Sequence, residues 1–254
     1  MNKSCLFNHN NDERTKRTGE NMIGCLCIHG FTGSPYEVEP LVNYLKEKTD
    51  WKIVAPTLPG HGETLSLKGV TYQQWLEHAE KELQMLLSQC EQVYIVGFSM
   101  GGLISVYLAE RYPVEKLILL SAAAKYINVR QLITDICEML KDAKNGQLLK
   151  NELFLRYKGK VFSTPLSATQ QFRKMVKQVT PLIEKINVPT FIAQGLADGI
   201  VPPKSADFIY QKISSTDKEI YYSKTAKHHI CHTGDKEELF NKIFTFLNRS
   251  SKVS

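Results

Sequence analysis

Short apolar segments alternate with longer segments of helical period along most of the chain, after a polar start over residues 1–20. The apolar segments predict strands at residues 22–28, 51–55, 92–96, 116–120, 189–194 and 219–222. Apolar residues spaced three and four apart predict helices near 35–45, 71–89, 101–111 and 236–247. Because strands separated by helices form crossover units, this pattern predicts an α/β fold with a mostly parallel central sheet flanked by helices.

The alternation breaks between residues 124 and 187, where the apolar residues are spaced as in amphipathic helices without a strand. An insertion of about 60 residues between consecutive strands is longer than a crossover needs and is commonly functional. We therefore expect a polar lead-in at 1–20, a core at 21–123 and 188–250, and a helical cap, or lid, at 124–187 inserted between two late strands. The polar lead-in is too short for two full N-terminal strands, so the sheet either lacks one of them or uses residues 4–7 as a short edge strand.

Composition excludes several classes of protein. The 254 residues, 43% hydrophobic and 23% charged, are typical of a water-soluble globular protein. The net charge of +6 does not indicate nucleic-acid binding, because the basic residues are scattered and no zinc-finger or RNA-binding motif accompanies them. No apolar run approaches the ~18 residues of a membrane span, and the polar start lacks a signal-peptide core. We expect a cytoplasmic protein without stable membrane insertion, monomeric by default, although the sequence leaves the oligomeric state open.

The six cysteines do not form a metal or disulfide pattern. They lack C-x-x-C spacing and the density of a secreted disulfide scaffold, so we expect free thiols. Cys25 and Cys27 flank Leu26 in an apolar run and are expected on one side of a strand as small core residues. No cofactor or metal is expected.

One five-residue motif carries the chemistry. Gly97-Phe98-Ser99-Met100-Gly101 directly follows an apolar strand and directly precedes a helix. In this setting a serine occupies a strained turn with its hydroxyl held out, and the flanking glycines let strand and helix pass closely. The motif predicts Ser99 as a nucleophile, and an ordinary glycine-rich turn is the alternative.

A serine nucleophile requires a base and an acid that orients the base. Asp198 follows the strand at 189–194 and is expected at the same end of the sheet as the serine, although an aspartate beside glycine is often only a turn former. The base must come from His228, His229 or His232. Three histidines so close together also suggest a metal site, but no carboxylate or thiolate set with ligand spacing accompanies them.

At this point the sequence resembles the α/β-hydrolase family, and within it the bacterial carboxylesterase and monoacylglycerol-lipase-like group. The resemblance runs from about residue 22 to 247. It rests on His29-Gly30-Phe31-Thr32-Gly33, Leu58-Pro59-Gly60-His61-Gly62, Gly97-Phe98-Ser99-Met100-Gly101-Gly102, Asp198 before Ile200-Val201-Pro202, and the late histidine loop.

The resemblance implies a role for each matching position. Ser99 matches the nucleophile, Asp198 the acid of the catalytic triad and His228 the base. Phe31 and Met100 match the two residues whose backbone N–H groups form the oxyanion hole.

Two positions depart from the family pattern, and two further histidines match it outside the triad. Lys227 stands where the family commonly has glycine, and a second histidine follows at once, so His229 remains an alternative base. His29 and His61 resemble structural histidines that brace loops.

These observations favour a serine carboxylesterase that hydrolyses small to medium-chain acyl esters through an acyl-enzyme, with a small-molecule ester as its partner. A monoacylglycerol is a sharper form of that prediction and rests on the resemblance alone. An acyltransferase or carbon–carbon bond hydrolase on the same triad is one alternative, and a non-enzymatic ligand receptor is another. Apolar cap residues are expected to line part of an acyl pocket: Leu132, Ile136, Leu140, Phe172 and Val176.

Overall fold

The computed structural model describes residues 22–125 and 164–250. Its strands are β1 (Ile23–Ile28), β2 (Lys52–Val54), β3 (Gln92–Phe98), β4 (Lys116–Leu120), β5 (Thr190–Gly195) and β6 (Lys218–Ser223). Its α-helices are α1 (Glu39–Lys48), α2 (Tyr72–Leu87), α3 (Met100–Ala109), α4 (Leu166–Val179), α5 (Lys204–Lys212) and α6 (Lys236–Asn248). Short 3-10 helices lie at Pro35–Glu37, Thr180–Lys185 and Ile230–His232. Within these two ranges, no helix is both long and apolar enough to cross a membrane.

The six strands form one parallel sheet in the order β2-β1-β3-β4-β5-β6. Next to the β2 edge, Leu26 of β1 pairs with Val54 of β2 on one side and with Ile95 of β3 on the other. This architecture confirms the predicted α/β class. The candidate edge strand at residues 4–7 lies outside the described residues.

Helices cover both faces of the sheet, and the alternation of side chains along β1 shows how. Cys25 and Cys27 are buried in the apolar layer beneath α1 and α6, with their sulfur atoms 3.8 Å apart. Leu26 and Ile28 enter the opposite layer, beneath α2, α3 and α4. Successive residues of a strand point to opposite faces, so both faces of a doubly covered sheet are apolar. The expectation that both cysteines are core residues is confirmed.

Several boundaries differ from the predicted ones. The segment after β1 does not enter an α-helix at Pro35 but makes a 3-10 turn first, and Ser34 caps it without a side-chain hydrogen bond. Helix α5 was absent from the prediction. It has nine residues, of which only Ser205, Ala206 and Ile209 are buried, so it is too short to repeat its apolar positions over several turns.

The described part of the predicted cap packs on the core. Residues 126–163 lie outside the described residues, and with them Leu132, Ile136 and Leu140. Helix α4 contacts α2 and α3. Its Phe172 is buried and stacks on Phe31, with ring centroids 5.0 Å apart and an interplanar angle of 11°. The placement of a lid over 124–187 stays a prediction.

The strand order creates a crevice at one end of the sheet. The chain passes from β1 to β2 on one side and then returns to β3 on the other side of β1. At such a reversal the loops after the two neighbouring strands diverge and leave a crevice at their carboxyl ends. The loop after β1 begins at His29, and the turn after β3 contains Ser99, so both candidate segments meet there.

Candidate active site

Ser99 occupies a strained turn between β3 and α3. Its φ of 52° and ψ of −113° lie in a region that residues with a side chain rarely adopt. The flanking glycines are required by close approach, since a Cβ on Gly97 would lie 2.3 Å from the carbonyl oxygen of Gly101. A Cβ on Gly101 would lie 2.2 Å from the carbonyl oxygen of Ile28. Tight contact between strand and helix therefore holds Ser99 at the N-terminus of α3.

The structure brings Ser99, His228 and Asp198 together from three loops. The distance from Ser99 Oγ to His228 Nε2 is 3.0 Å. The distance from His228 Nδ1 to Asp198 Oδ2 is 2.8 Å. All three side chains are buried, and they form a continuous hydrogen-bonded chain from hydroxyl to carboxylate.

The carboxylate of Asp198 is held by further donors. Its Oδ1 accepts the backbone N–H groups of Ile200 and Val201, each at 2.9 Å. Its Oδ2 also accepts a hydrogen bond from Gln194 Nε2 at 2.9 Å. Because a buried charge is tolerated only when it is well paired, these bonds fix both the ionisation and the direction of the carboxylate.

The electrostatics of the pair favour an ionised acid and a basic imidazole. Burial alone would raise the pKa of Asp198, but the charge and hydrogen bond of His228 and the two backbone amides lower that pKa below its usual range. Burial alone would lower the pKa of His228, but Asp198, with a smaller effect of Glu37, raises that pKa. An ionised carboxylate only accepts, so Nδ1 of His228 carries a hydrogen and neutral Nε2 can accept from the Ser99 hydroxyl.

The three late histidines have separate surroundings. The ring of His229 lies 5.7 Å from that of His228, and its Nε2 is 3.3 Å from Oε1 of Glu37. His232 stacks on Tyr36 with centroids 4.7 Å apart, and its Nε2 lies 2.8 Å from the Tyr36 carbonyl oxygen. Among the described residues, no group of three or more potential ligands could hold a metal ion.

The loop after β1 is braced so that one peptide plane is fixed. His29 Nδ1 donates to the carbonyl oxygen of Gly30 at 2.8 Å, and the N–H of Gly33 donates to it at 3.2 Å. The other ring nitrogen of His29 accepts the N–H of Leu58 at 3.1 Å. A trans peptide directs its C=O and N–H oppositely, so fixing the Gly30 oxygen also fixes the N–H of Phe31. His29 therefore braces this loop, as the resemblance implied.

Two backbone N–H groups remain available beside Ser99. A Cβ on Gly30 would lie 3.2 Å from Ser99 Cβ, which places the Phe31 loop against the serine. Met100 is the first residue of α3, where a helix leaves its N–H groups without internal acceptors. Within residues 22–125 and 164–250, the N–H groups of Phe31 and Met100 donate no hydrogen bond. Both could donate to an oxygen that becomes negative.

A family model for "Serine aminopeptidase, S33" matches residues 21–235. The chain belongs to this family. The hydrolase is 30% identical over 211 residues to the thermostable monoacylglycerol lipase of Bacillus sp. (strain H-257), covering 81% of this chain and 82% of that protein. It is 23% identical to the carboxylesterase of Bacillus subtilis (strain 168), over 88% of this chain and 92% of the other.

Solved structures agree on the fold. The monoacylglycerol lipase of Paleococcus ferrophilus superposes with a TM-score of 0.67 at 21% identity, covering 88% of this chain and 93% of that one. These findings confirm the predicted α/β-hydrolase and its assignment to the carboxylic ester hydrolases of the esterase and lipase type.

Sequence reasoning missed two polar residues of the hydrolase site. Gln194 is the last residue but one of the buried strand β5 and donates to Asp198, and a glutamine directly after the apolar run 191–193 is the available signal. Glu37 is only 3% exposed, and its Oε2 accepts the N–H of Gly30 at 2.7 Å. Nothing in the spacing of the sequence indicates that this glutamate folds back on the loop.

An aromatic cluster borders the loop after β1 in the hydrolase. The ring of Phe31 lies 5.9 Å from that of Trp75 and 6.0 Å from that of His61, in addition to its stack on Phe172. His61 Nδ1 lies 3.1 Å from the Pro59 carbonyl oxygen, as a loop-fixing histidine would. Buried aromatic side chains therefore pack behind the candidate oxyanion loop.

A separate cavity lies between α4 and α5. It measures about 620 Å³, and its lining includes Val176, Phe208 and Lys177. The described residues that line it do not include Ser99, Asp198 or His228, so the cavity is no evidence for an acyl site. The assignment of Val176 to an acyl pocket stays a prediction.

Proposed function

We propose that the protein is a serine carboxylesterase that hydrolyses small to medium-chain acyl esters through an acyl-enzyme intermediate. Ser99 is the nucleophile, His228 the general base and Asp198 the acid that orients the base. The observation that carries this proposal is the continuous contact from Ser99 Oγ to His228 Nε2 at 3.0 Å and from His228 Nδ1 to Asp198 at 2.8 Å.

In the first half-reaction, Ser99 Oγ bonds to the ester carbonyl carbon and its proton passes to His228 Nε2. The carbonyl π electrons move onto oxygen, where the N–H groups of Phe31 and Met100 stabilise the negative charge. When the tetrahedral intermediate collapses, the carbon–alkoxy bond breaks. The leaving alcohol takes the proton from His228, and the acyl group remains on Ser99.

In the second half-reaction, a water molecule gives a proton to His228 and its oxygen bonds to the acyl carbon. The bond from the acyl carbon to Ser99 Oγ then breaks, and the serine regains the proton from His228. Asp198 stays ionised and stabilises the imidazolium in both halves. These proton transfers balance without a cofactor.

The substrate class is supported by the relatives. Phe31, Trp75 and Phe172 pack beside the candidate oxyanion loop, and because their side chains are buried they support that loop from behind. A relative of 30% identity is named as a monoacylglycerol lipase. We therefore propose monoacylglycerols as the sharper substrate assignment. The free thiols of the four described cysteines suit a reducing compartment, so we place the enzyme in the cytoplasm.

The test is hydrolysis of p-nitrophenyl esters from acetate to laurate, with a monoacylglycerol series alongside. The Ser99→Ala variant is compared with Ser105→Ala. Ser105 lies in α3, and its buried hydroxyl donates to the carbonyl oxygen of Gly101. We expect turnover that disappears with Ser99→Ala and persists with Ser105→Ala. The most rapidly hydrolysed chain length would define the acyl preference.

Two outcomes would contradict the proposal. Absence of ester turnover, together with no labelling of Ser99 by a fluorophosphonate, would mean that the triad does not act. Because the matching family model is described as a serine aminopeptidase, an aminoacyl p-nitroanilide is included. Turnover of that amide with none of the esters would replace the esterase proposal.

A further inference from the structure

Glu37 is a buried carboxylate that the proposed mechanism does not use. It is 3% exposed and lies at the end of the 3-10 turn after β1. Its two oxygens face different segments: Oε2 accepts the N–H of Gly30 at 2.7 Å, and Oε1 lies 3.3 Å from His229 Nε2. Since burying an unpaired charge is costly, these partners explain why an acid can stand here.

The loop is shaped around this carboxylate. A Cβ on Gly33 would lie 2.0 Å from Oε2 of Glu37 and 2.4 Å from its Cδ, so only glycine leaves room. Replacing that glycine would push the carboxylate away from the backbone that it holds.

Glu37 connects the two halves of the site. The peptide before Gly30 is held by Glu37, and the peptide after it, which carries the Phe31 N–H, is held by His29. On the other side, Glu37 contacts the residue that directly follows His228. The oxyanion loop and the base loop therefore share one buried carboxylate.

A second contact joins the same two segments. Tyr36, the neighbour of Glu37, stacks on His232, and its carbonyl oxygen lies 2.8 Å from His232 Nε2. Burial lowers the pKa of His232, which favours its neutral form in this contact. The turn and the histidine loop are thus joined at two points.

We propose that Glu37 and His229 are a positioning pair that sets the N–H of Phe31 relative to His228, so that nucleophile, base and oxyanion hole keep one geometry. This inference rests on the proposed esterase function. It assigns a use to the second histidine of the loop and to an acid outside the triad.

The pair also has an electrostatic effect on the base. The groups that face His228 are the Ser99 hydroxyl, the Asp198 carboxylate, the Glu37 carboxylate and the ring of His229. Against the effect of burial, Asp198 and then Glu37 raise the pKa of His228. A neutral residue at position 37 should therefore lower that pKa, and the enzyme should keep its base deprotonated at lower pH.

Three variants separate geometry from charge. Glu37→Ala removes both contacts, Glu37→Gln keeps an oxygen that can accept the Gly30 N–H but removes the charge, and His229→Ala removes the other partner. Glu39→Ala, which removes an exposed carboxylate from the start of α1, is the matched control. For each variant, kcat and KM for one p-nitrophenyl ester are measured across pH, together with the thermal unfolding temperature.

We expect Glu37→Ala to lower kcat about 10- to 100-fold with KM within about two-fold, because small displacements of reacting groups are costly. Glu37→Gln should recover most of that kcat at high pH, with the acid limb of kcat/KM shifted to lower pH. His229→Ala should lower kcat about 10-fold. Glu39→Ala should match the wild type.

The inference is overturned if folded Glu37→Ala and His229→Ala both keep kcat within two-fold of wild type. It is also overturned if Glu37→Gln loses as much as Glu37→Ala and its acid limb does not move. If Glu37→Ala does not fold, the pH profiles of kcat and kcat/KM for Glu37→Gln and His229→Ala decide whether the inference holds. Wild-type enzyme without Ser99-dependent turnover would instead refute the proposed function, and this inference with it.

Discussion

The site contains two carboxylate–histidine pairs, and they differ in the third group that each one contacts. In the first, Asp198 holds His228, whose other nitrogen lies 3.0 Å from the Ser99 hydroxyl. In the second, Glu37 contacts His229, and the carboxylate's other oxygen accepts a backbone N–H. In the first pair, the histidine faces a hydroxyl group that can lose its proton. In the second pair, the carboxylate faces a backbone amide that keeps its proton.

This difference teaches that residue type does not determine a role. Both histidines lie on one loop, next to each other in sequence, and both face a buried carboxylate. His228 lies within hydrogen-bonding distance of the Ser99 hydroxyl, so of the two it is the one placed to act as the base in the proposed mechanism. The second pair consists of a carboxylate and a histidine, as two members of a catalytic triad would, but its other contact is a backbone N–H and not a nucleophile.

The largest expected effect sharpens this comparison directly. His228→Ala should lower kcat by at least about 10⁴-fold, because a serine without its base keeps only the contribution of binding and the oxyanion hole. His229→Ala should retain far more activity, with kcat about 10-fold below that of the wild type. Steady-state rates at saturating ester measure both. Equal losses in the two variants would mean that the histidines do not have separate roles.

The next effect concerns the acid of the first pair. Asp198→Asn should lower kcat by about 10⁴-fold, because the asparagine favours the wrong imidazole tautomer. Asp198 raises the pKa of His228, so we expect the activity of the wild type to fall in acid as His228 becomes protonated. Without the Asp198 charge that pKa falls, and the residual activity should persist to lower pH. A pH profile of kcat/KM checks the shift, and an unchanged acid limb would mean that Asp198 does not act on His228.

The first pair could be predicted from the sequence, and the second could not. The strand–turn–helix context of Gly97-Phe98-Ser99-Met100-Gly101 predicted the serine, and position after a buried strand predicted Asp198. Choosing His228 required the resemblance, because three histidines on one loop are equivalent by spacing alone. Glu37 lies in a 3-10 turn that directs its side chain back to Gly30, seven residues earlier in the chain. The spacing of hydrophobic residues carries no information about such a turn.

The same limit explains the missed helix. The helix at Lys204–Lys212 has only nine residues, and about two and a half turns repeat an apolar position too few times to distinguish a helix from a loop. The long strands and helices of the core, in contrast, repeat their apolar positions often enough to predict the fold. The hydrophobic pattern therefore predicts the sheet and its covering helices well, and it predicts the polar contacts between loops poorly.

A smaller effect tests the second pair without changing either member. Gly33→Ala would place a Cβ 2.0 Å from Glu37 Oε2, so the carboxylate must move from the Gly30 N–H. We expect kcat to fall about 10-fold, as for other small displacements. Gly234→Ala is the matched control, since nothing lies within 4 Å of a Cβ there. Full activity of a folded Gly33→Ala variant would argue that the exact position of Glu37 is unimportant.

The smallest effect concerns the support of the first pair. Gln194 Nε2 donates to Asp198 Oδ2 and to the Val201 carbonyl oxygen, both at 2.9 Å. Gln194→Met keeps the length of the side chain and removes these bonds. We expect a loss of about 1–3 kcal/mol in the free energy of unfolding, measured by urea denaturation, because a buried carbonyl loses its donor.

The activity of Gln194→Met should fall only a few-fold, because Asp198 still accepts the N–H groups of Ile200 and Val201 and still contacts His228. The two backbone donors come from the loop that carries Asp198 itself, so they move with it and keep its direction. A loss above about 100-fold in kcat, with stability unchanged, would show that Gln194 and not the backbone orients the acid. The first pair would then depend on a side-chain brace in the same way as the second.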